Sequence, residues 1–410
     1  MMPRRHKYIS LVFQLIVLSA LVASCTVLTK KTQKDLPDTP ITAIEKFARK
    51  SSTLSAHEVA QEVDVFLQKV DSIYGIPMIH DTTAVFLYRG KVDTAVFVAG
   101  DFTDWNMPAD TFRQISGTDL YYRSFNFEND ARLDYKLIVD GDWILDPLND
   151  NTCRGGFGDN SELRMPNYPY PAEILPYEIP MGRMNTYEFS DSTTGSTHQV
   201  RVYTPPDYEY GESRYRTIYF HDGSDYLALG STKKALDYMI YANWIPPVVA
   251  VFVDPIDRMR EYSYDTEFMD MFALELVPWV EAKYRTQDNP EARAVIGSSL
   301  GGLVSLNLLL AYPEVFGNCG AYSPAVQVGD IIAKIENRDK SFGKIYLDAG
   351  SYEPVIYIPT LHLKHVLERR GWNLKWRQWH EGHSWGSWKA HLDESVTFFW
   401  PQSTEAESEI

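Results

Sequence analysis

The chain has 410 residues, 44% of them apolar and 13% aromatic, enough for more than one packed core. Its 55 acidic residues outnumber 39 basic ones, for a formal charge of -16. Nothing in that balance would neutralise a phosphate backbone, which excludes a nucleic-acid partner and reads as solubility.

Residues 1–24 have the layout of a signal peptide: basic "MMPRRHKY", then apolar "ISLVFQLIVLSALVAS" ending in small residues. The stretch Val22-Ala23-Ser24-Cys25 resembles a bacterial lipobox, which implies lipidation at Cys25 and a lipid-anchored protein of the bacterial cell envelope. Residues 25–80 read as a polar tether followed by a short helical segment, with Val59, Val63, Phe66 and Val70 at helical spacing. Between 81 and 165 the period changes to that of strands, in "AVFLYRG", "TAVFVAGDF", "LYYRSFNF", "RLDYKLIVDG" and "DWILDPLN". Short runs divided by turn residues predict a small all-β, immunoglobulin-like sandwich. A Pro-rich linker fills 166–184.

From 185 to 401 strand-like runs ("THQVRVYTP", "RTIYFHDG", "PVVAVFVDP", "RAVIGSS", "GNCGAYSP", "GKIYLDAG", "LKWRQWHEG") alternate with helix-like ones at 231–241, 266–284, 301–311, 356–370 and 385–399. Near-continuous apolar strands between helices predict an α/β fold, a mostly parallel sheet with helices on both faces. An acidic tail occupies 402–410. Cys153 and Cys319 fall in different predicted domains and read as structural thiols, neither paired nor metal-binding. No metal or cofactor is implied.

Gly297-Ser298-Ser299-Leu300-Gly301 is a G-x-S-x-G sequence set between a strand and a helix. That is the setting of a nucleophile elbow, which holds Ser299 out at the carboxyl edge of the sheet. Glycines are demanded there because neighbouring backbone segments nearly touch. A serine hydroxyl needs a general base, and in this chain order the acid and then the histidine follow it. His383 lies on a loop after the last strand-like run and is the candidate base. His380 reads as a strand-end packing residue, and His362, His365 and His391 as helix-surface residues. Glu353, on the loop after "KIYLDAG", is the candidate acid, with Asp348 as the alternative. The oxyanion donors should be the N–H of Leu300 and an amide near Gly223 and Ser224. Asp222 and His221 should shape that second loop rather than hold a metal.

Residues 185–400 resemble the esterase-D and enterochelin-esterase type of α/β-hydrolase, which includes feruloyl and acetylxylan esterases. The resemblance rests on "YFHDGSDY", "AVIGSSLGGLVSLNLLLAYPEVFGNCGAYSPA", "LDAGSYEP" and "EGHSWGSW". It implies a serine carboxylesterase with Ser299 and His383 as nucleophile and base; the acid position varies in the family. Residues 82–164 resemble glycogen-binding and isoamylase-type carbohydrate-binding modules through "VFVAGDFTDW", "DYKLIVDGDWILDP" and "GDNSEL". That second resemblance implies sugar binding at Trp105, Lys136, Trp143 and Asn160. The alternative is that this segment shapes the substrate pocket. "FLQKVDSIYGIPMIHDTTAVFLYRG" also resembles the N-terminal region of siderophore esterases. Feruloyl or acetyl esters of plant polysaccharide are the leading expected substrates, with an enterochelin-type siderophore ester as the alternative. A non-catalytic, surface glycan-binding lipoprotein is the expectation from a different class.

Overall fold

The computed structural model describes residues 39–106, 111–263, 265–338 and 341–402. The expected signal peptide, Cys25 and the tail from 403 lie outside the described residues.

Helices Pro40–Ser51 and Ala56–Tyr74 belong to a unit of their own. The first begins because Pro40 pre-sets the helical φ and the Thr39 hydroxyl accepts the Thr42 amide. The second buries Val59, Val63, Phe66, Leu67 and Val70, the stripe its spacing predicts. The two helices meet where Phe47 stacks on Phe66, with ring centroids 4.3 Å apart.

Residues 75–115 and 119–410 form the second unit. Among the described residues its first part holds nine strands: β1 (Met78–His80), β2 (Thr83–Arg89), β3 (Val96–Gly100), β4 (Arg113–Gln114), β5 (Leu120–Asn126), β6 (Arg132–Val139), β7 (Asp142–Ile144), β8 (Thr152–Gly155) and β9 (Gly158–Arg164). They make two antiparallel sheets, ordered β1-β2-β5-β4 and β3-β6-β9-β8, with β7 paired to β6. Phe86 of the first sheet packs with Val96, Val98, Leu133, Tyr135 and Leu163 of the second in one buried core. The β8–β9 hairpin has no apolar alternation. It turns through Gly155-Gly156-Phe157-Gly158, with Gly158 at φ +107°, a conformation that favours glycine.

The second part is an eight-stranded sheet: β10 (Arg183–Ser190), β11 (Thr197–Thr204), β12 (Arg216–His221), β13 (Val248–Val253), β14 (Arg293–Ser298), β15 (Asn318–Tyr322), β16 (Lys344–Gly350) and β17 (Asn373–Trp379). The order is β10-β11-β13-β12-β14-β15-β16-β17, parallel from β13 to β17 and antiparallel at the β10–β11 edge. Strands β12 to β16 are almost wholly buried, as their apolar runs require. β10 escapes a sequence reading because it is an edge strand with one buried residue, Phe189. Cys319 is buried in β15 and Cys153 in β8, both as free thiols.

The chain runs from β12 outward to β13, then returns to place β14 on the other side of β12. The crevice at such a reversal, beyond the carboxyl ends of the strands, is where an open α/β sheet holds its ligand. The loops after β12 and β14 both open there.

Candidate active site

Strand β14 ends at Ser298, and the helix Leu300–Ala311 starts two residues later. Ser299 makes the turn at φ 58° and ψ -120°, a strained conformation for a residue with a side chain. A Cβ on Gly297 would stand 2.3 Å from the Gly301 backbone, and one on Gly302 would press on Pro324 at 3.1 Å. The glycines are therefore demanded by close backbone approach. The neighbouring serines have opposite fates: Ser298 is buried, whereas Ser299 is partly exposed and lines a cavity of about 710 Å³.

His383 lines the same cavity from the loop after β17. Its Nδ1 lies 2.5 Å from Glu353 Oε2. The other carboxylate oxygen, Oε1, accepts the Ser323 hydroxyl at 2.6 Å and the Gly350 amide. Glu353 directly precedes the helix Pro354–Arg369 and is buried, so its carboxylate is held from both sides. The Trp388 ring meets the His383 ring edge-on, with centroids 4.9 Å apart. Asp348 is occupied elsewhere. Its Oδ1 accepts the Ser323 amide at 2.9 Å, and its Oδ2 accepts the Tyr346 hydroxyl at 2.9 Å and the Trp379 indole N–H at 3.3 Å. Burial pushes its carboxyl up to about 7.

Leu300 opens the helix after Ser299, so its N–H has no carbonyl within the helix to meet. Gly223 likewise opens the helix Gly223–Ala228, and β13 passes so close that a Cβ there would be 2.5 Å from Phe252. Ser224 departs from expectation: its amide donates to Asp254 Oδ1 at 2.6 Å and its hydroxyl to Oδ2 at 2.6 Å. An amide already bonded to a carboxylate is not available to an oxyanion. Asp222 takes a bidentate contact from Arg258, 2.8 Å from both Nε and Nη2. His221 is fully buried among Tyr262, Phe268 and Phe272, and burial pushes its pKa down to about 3.

Trp105, Lys136, Trp143 and Asn160 line the cavity that holds Ser299 and His383. They face the serine across one cleft rather than forming a site remote from it. Trp105 donates its indole N–H to Asp101 at 3.0 Å, and Asn160 its amide to Asp134 at 3.1 Å. Among the described residues Lys136 has no carboxylate within ion-pairing distance. The sequence reading missed Phe157, Arg258, Trp385 and Trp388 on the same walls. Phe157 is fully exposed at its hairpin tip, and nothing local in "GGFG" marks it as a cleft residue.

The remaining histidines sort by environment. His362 and His365 are exposed on their helix, and His380 Nδ1 lies 2.7 Å from Asp130. His391 is not a surface residue. It is 4% exposed, stacked on Trp379 with centroids 3.7 Å apart, and bonded through Nε2 to Glu381 at 2.8 Å. Burial works against its positive charge, but Glu381, Asp348 and Asp393 together outweigh it and the pKa is raised. Among the described residues no cluster of His, Cys, Asp and Glu could hold a metal ion.

Comparison with known proteins adds a second line of evidence: residues 191–399 match the Esterase family. The chain belongs to the Esterase family. It is a carboxylic ester hydrolase built on a mostly parallel α/β sheet. Among curated relatives of this esterase, the iron(III) enterobactin esterase of Escherichia coli strain K12 is 28% identical over 274 residues, 63% of this chain and 67% of that protein. An endo-1,4-beta-xylanase/feruloyl esterase of Xylanibacter ruminicola is 24% identical over 208 residues, 46% of this chain and 28% of that protein. The enterobactin esterase FES from Shigella flexneri superposes with a TM-score of 0.68 at 23% identity, over 78% of this chain and 92% of that one. A ferulic acid esterase superposes at 0.50 and 16% identity, over 54% of this chain and 98% of that one. At such identities the two superpositions speak for the fold alone.

Proposed function

We propose that this esterase works by a Ser299–His383–Glu353 relay on esters that carry an aromatic group, with a catecholate siderophore ester as the leading substrate. Ser299 Oγ attacks the ester carbonyl carbon and its proton passes to His383 Nε2. The Nδ1–H, bonded to Glu353, keeps the ring in the tautomer whose Nε2 can accept that proton. The amides of Leu300 and Gly223 receive the oxyanion. Collapse breaks the bond to the alcohol, which leaves with the proton from His383. Water, deprotonated by the same ring, then attacks the acyl-enzyme and releases the acid and Ser299.

The observation that supports the substrate class is the lining of the cleft. Trp105, Trp143 and Phe157 line the cleft that holds Ser299, and Lys136 brings positive charge to the same wall, whereas Arg258 is paired with Asp222. Indoles and a phenyl ring suit a planar aromatic group, and the Lys136 ammonium suits the negative charge of a catecholate. The similarity to iron(III) enterobactin esterases points the same way. Feruloyl esters of plant polysaccharide are the second reading, favoured by the feruloyl esterase relative and by the same rings. The lipobox at Cys25 supports a place in the cell envelope, with the chain anchored to a membrane.

The test is a kinetic panel of an enterobactin-type trilactone, methyl ferulate, acetylated xylan and a chromogenic acetyl ester, with S299A as the blank. The trilactone should give the highest kcat/KM. Preference for methyl ferulate with no trilactone turnover would overturn the catecholate reading in favour of the second. Full activity in S299A would overturn the nucleophile.

A further inference from the structure

The sequence around His383, Glu381-Gly382-His383-Ser384-Trp385-Gly386, brackets the histidine with glycines. Neither of the two has a left-handed φ, so backbone conformation does not account for them. Space does. A Cβ on Gly386 would stand 2.0 Å from the Arg132 guanidinium carbon, and a Cβ on Gly382 would stand 2.0 Å from the Asp101 carboxyl carbon. Both intruding side chains come from the two-sheet part of the molecule: Arg132 from β6 and Asp101 from the turn after β3.

Arg132 is completely buried. Its Nε donates to Glu162 Oε1 at 2.5 Å and its Nη2 to Asp134 Oδ1 at 2.5 Å. The remaining fork atom, Nη1, donates to Ser384 Oγ at 3.0 Å, across 252 positions of sequence. The Arg132 backbone N–H also donates to the His380 carbonyl at 3.0 Å, and residue 132 bridges Glu381 in parallel fashion. Arg132 therefore grips the loop on both sides of His383.

Burying a guanidinium is expensive unless every partner is in place. Here Glu162 also receives Arg164 at 2.5 Å, so two arginines face two carboxylates, Glu162 and Asp134. Asp101 accepts the Asp134 amide at 2.7 Å, and burial together with the nearby Asp134 charge pushes its carboxyl up to about 8. The planar fork satisfies two carboxylates and still aims a third donor at Ser384. A lysine ammonium has neither that reach nor that geometry.

We infer that Arg132 is a positioning residue for catalysis, holding through Ser384 and the 380–381 main chain the loop that presents His383 to Ser299 and Glu353. The inference rests on His383 being the general base proposed above. It makes the two-sheet part a structural half of the active site, in addition to a wall of the cleft.

The experiment compares S384A, R132K and H383A in the full chain, on a small soluble chromogenic ester. S384A removes the Nη1 contact and no bond within the loop, because the Ser384 side chain makes no cap bond to its helix; Ser384 also lines the cleft, where a loss of substrate contact would show in KM. R132K keeps the charge among the carboxylates and withdraws the fork. Both should lower kcat by about 10- to 100-fold, the scale of an ångström-sized misplacement of a catalytic group, with KM little changed. The melting temperature of S384A should stay within a few degrees of the wild type, whereas R132K, which leaves the buried Glu162 and Asp134 short of donors, should melt lower, so its kinetics are read well below its own melting point. Wild-type kcat in the folded variants would overturn the inference, as would a rise in KM alone or a failure of S384A to fold. H383A separates the two claims: an active H383A would overturn the base assignment itself, whereas an inactive H383A beside normal S384A and R132K would overturn only the role of Arg132.

Discussion

Glu353→Gln tests the orientation of the base with almost no change in shape. The Gly350 amide can only donate, and it points at Glu353 Oε1 together with the Ser323 hydroxyl. The glutamine must therefore keep its carbonyl oxygen at that position. Its NH2 then takes the place of Oε2, which stands 2.5 Å from His383 Nδ1. Two donors cannot face each other at that distance, so the ring shifts to the tautomer with Nδ1 bare and the proton on Nε2. That nitrogen can no longer take the Ser299 proton. The same loss in a serine–histidine–aspartate triad lowers kcat by about 10⁴-fold, or ~5.5 kcal/mol of barrier. A fall of about 10³- to 10⁴-fold is expected here, with the melting temperature nearly unchanged because the volume is conserved. Initial rates on a chromogenic acetyl ester measure it, with a fluorophosphonate titration to count competent sites. Retention of activity within ~10-fold, together with an inactive Asp348→Asn, would refute the reasoning and make Asp348 the acid.

Trp105→Ala and Trp143→Ala should each lower kcat/KM on an aryl-bearing ester by about 10-fold and spare the acetyl ester, since they remove ring faces from the cleft. Lost retention on insoluble polysaccharide with unchanged aryl-ester kinetics would return a glycan-binding role to these residues. Glu173 is 3% exposed, and burial pushes its carboxyl from 4.5 up to about 7. In that window the folded state keeps a proton that the unfolded state has released, so this residue makes stability fall as pH rises through it. Glu173→Gln should therefore reduce the loss of urea midpoint between pH 5 and pH 8; an unchanged loss would count against it. Cys25→Ser should release the mature chain from membranes on fractionation. Persistent membrane association would sink the lipid anchor.

Much of this molecule was legible because it depends on short stretches of backbone. The G-x-S-x-G turn is dictated by contacts between residues four apart, so Gly297 and Gly301 announce an elbow without reference to the rest of the chain. The apolar runs of β12 to β16 and the stripe Val59–Val63–Phe66–Val70 report burial through period alone. What needed the tertiary structure involves partners far apart in sequence. Glu353 and Asp348 differ by five positions, and only the distant Ser323, Trp379 and His383 show which carboxylate is committed elsewhere and which faces His383. The Ser224 amide, an expected oxyanion donor, is taken by Asp254, 30 residues on. His391 leaves the surface because Trp379 and Glu381 close over it. Trp105, Trp143 and Lys136 face Ser299 because the two-sheet part packs over the carboxyl ends of the large sheet. Local sterics and hydrophobic period act within a few residues and leave their mark in the sequence. Hydrogen-bond partnership and the walls of a cleft are properties of the folded chain, where residues separated by as many as 252 positions come within 3.0 Å.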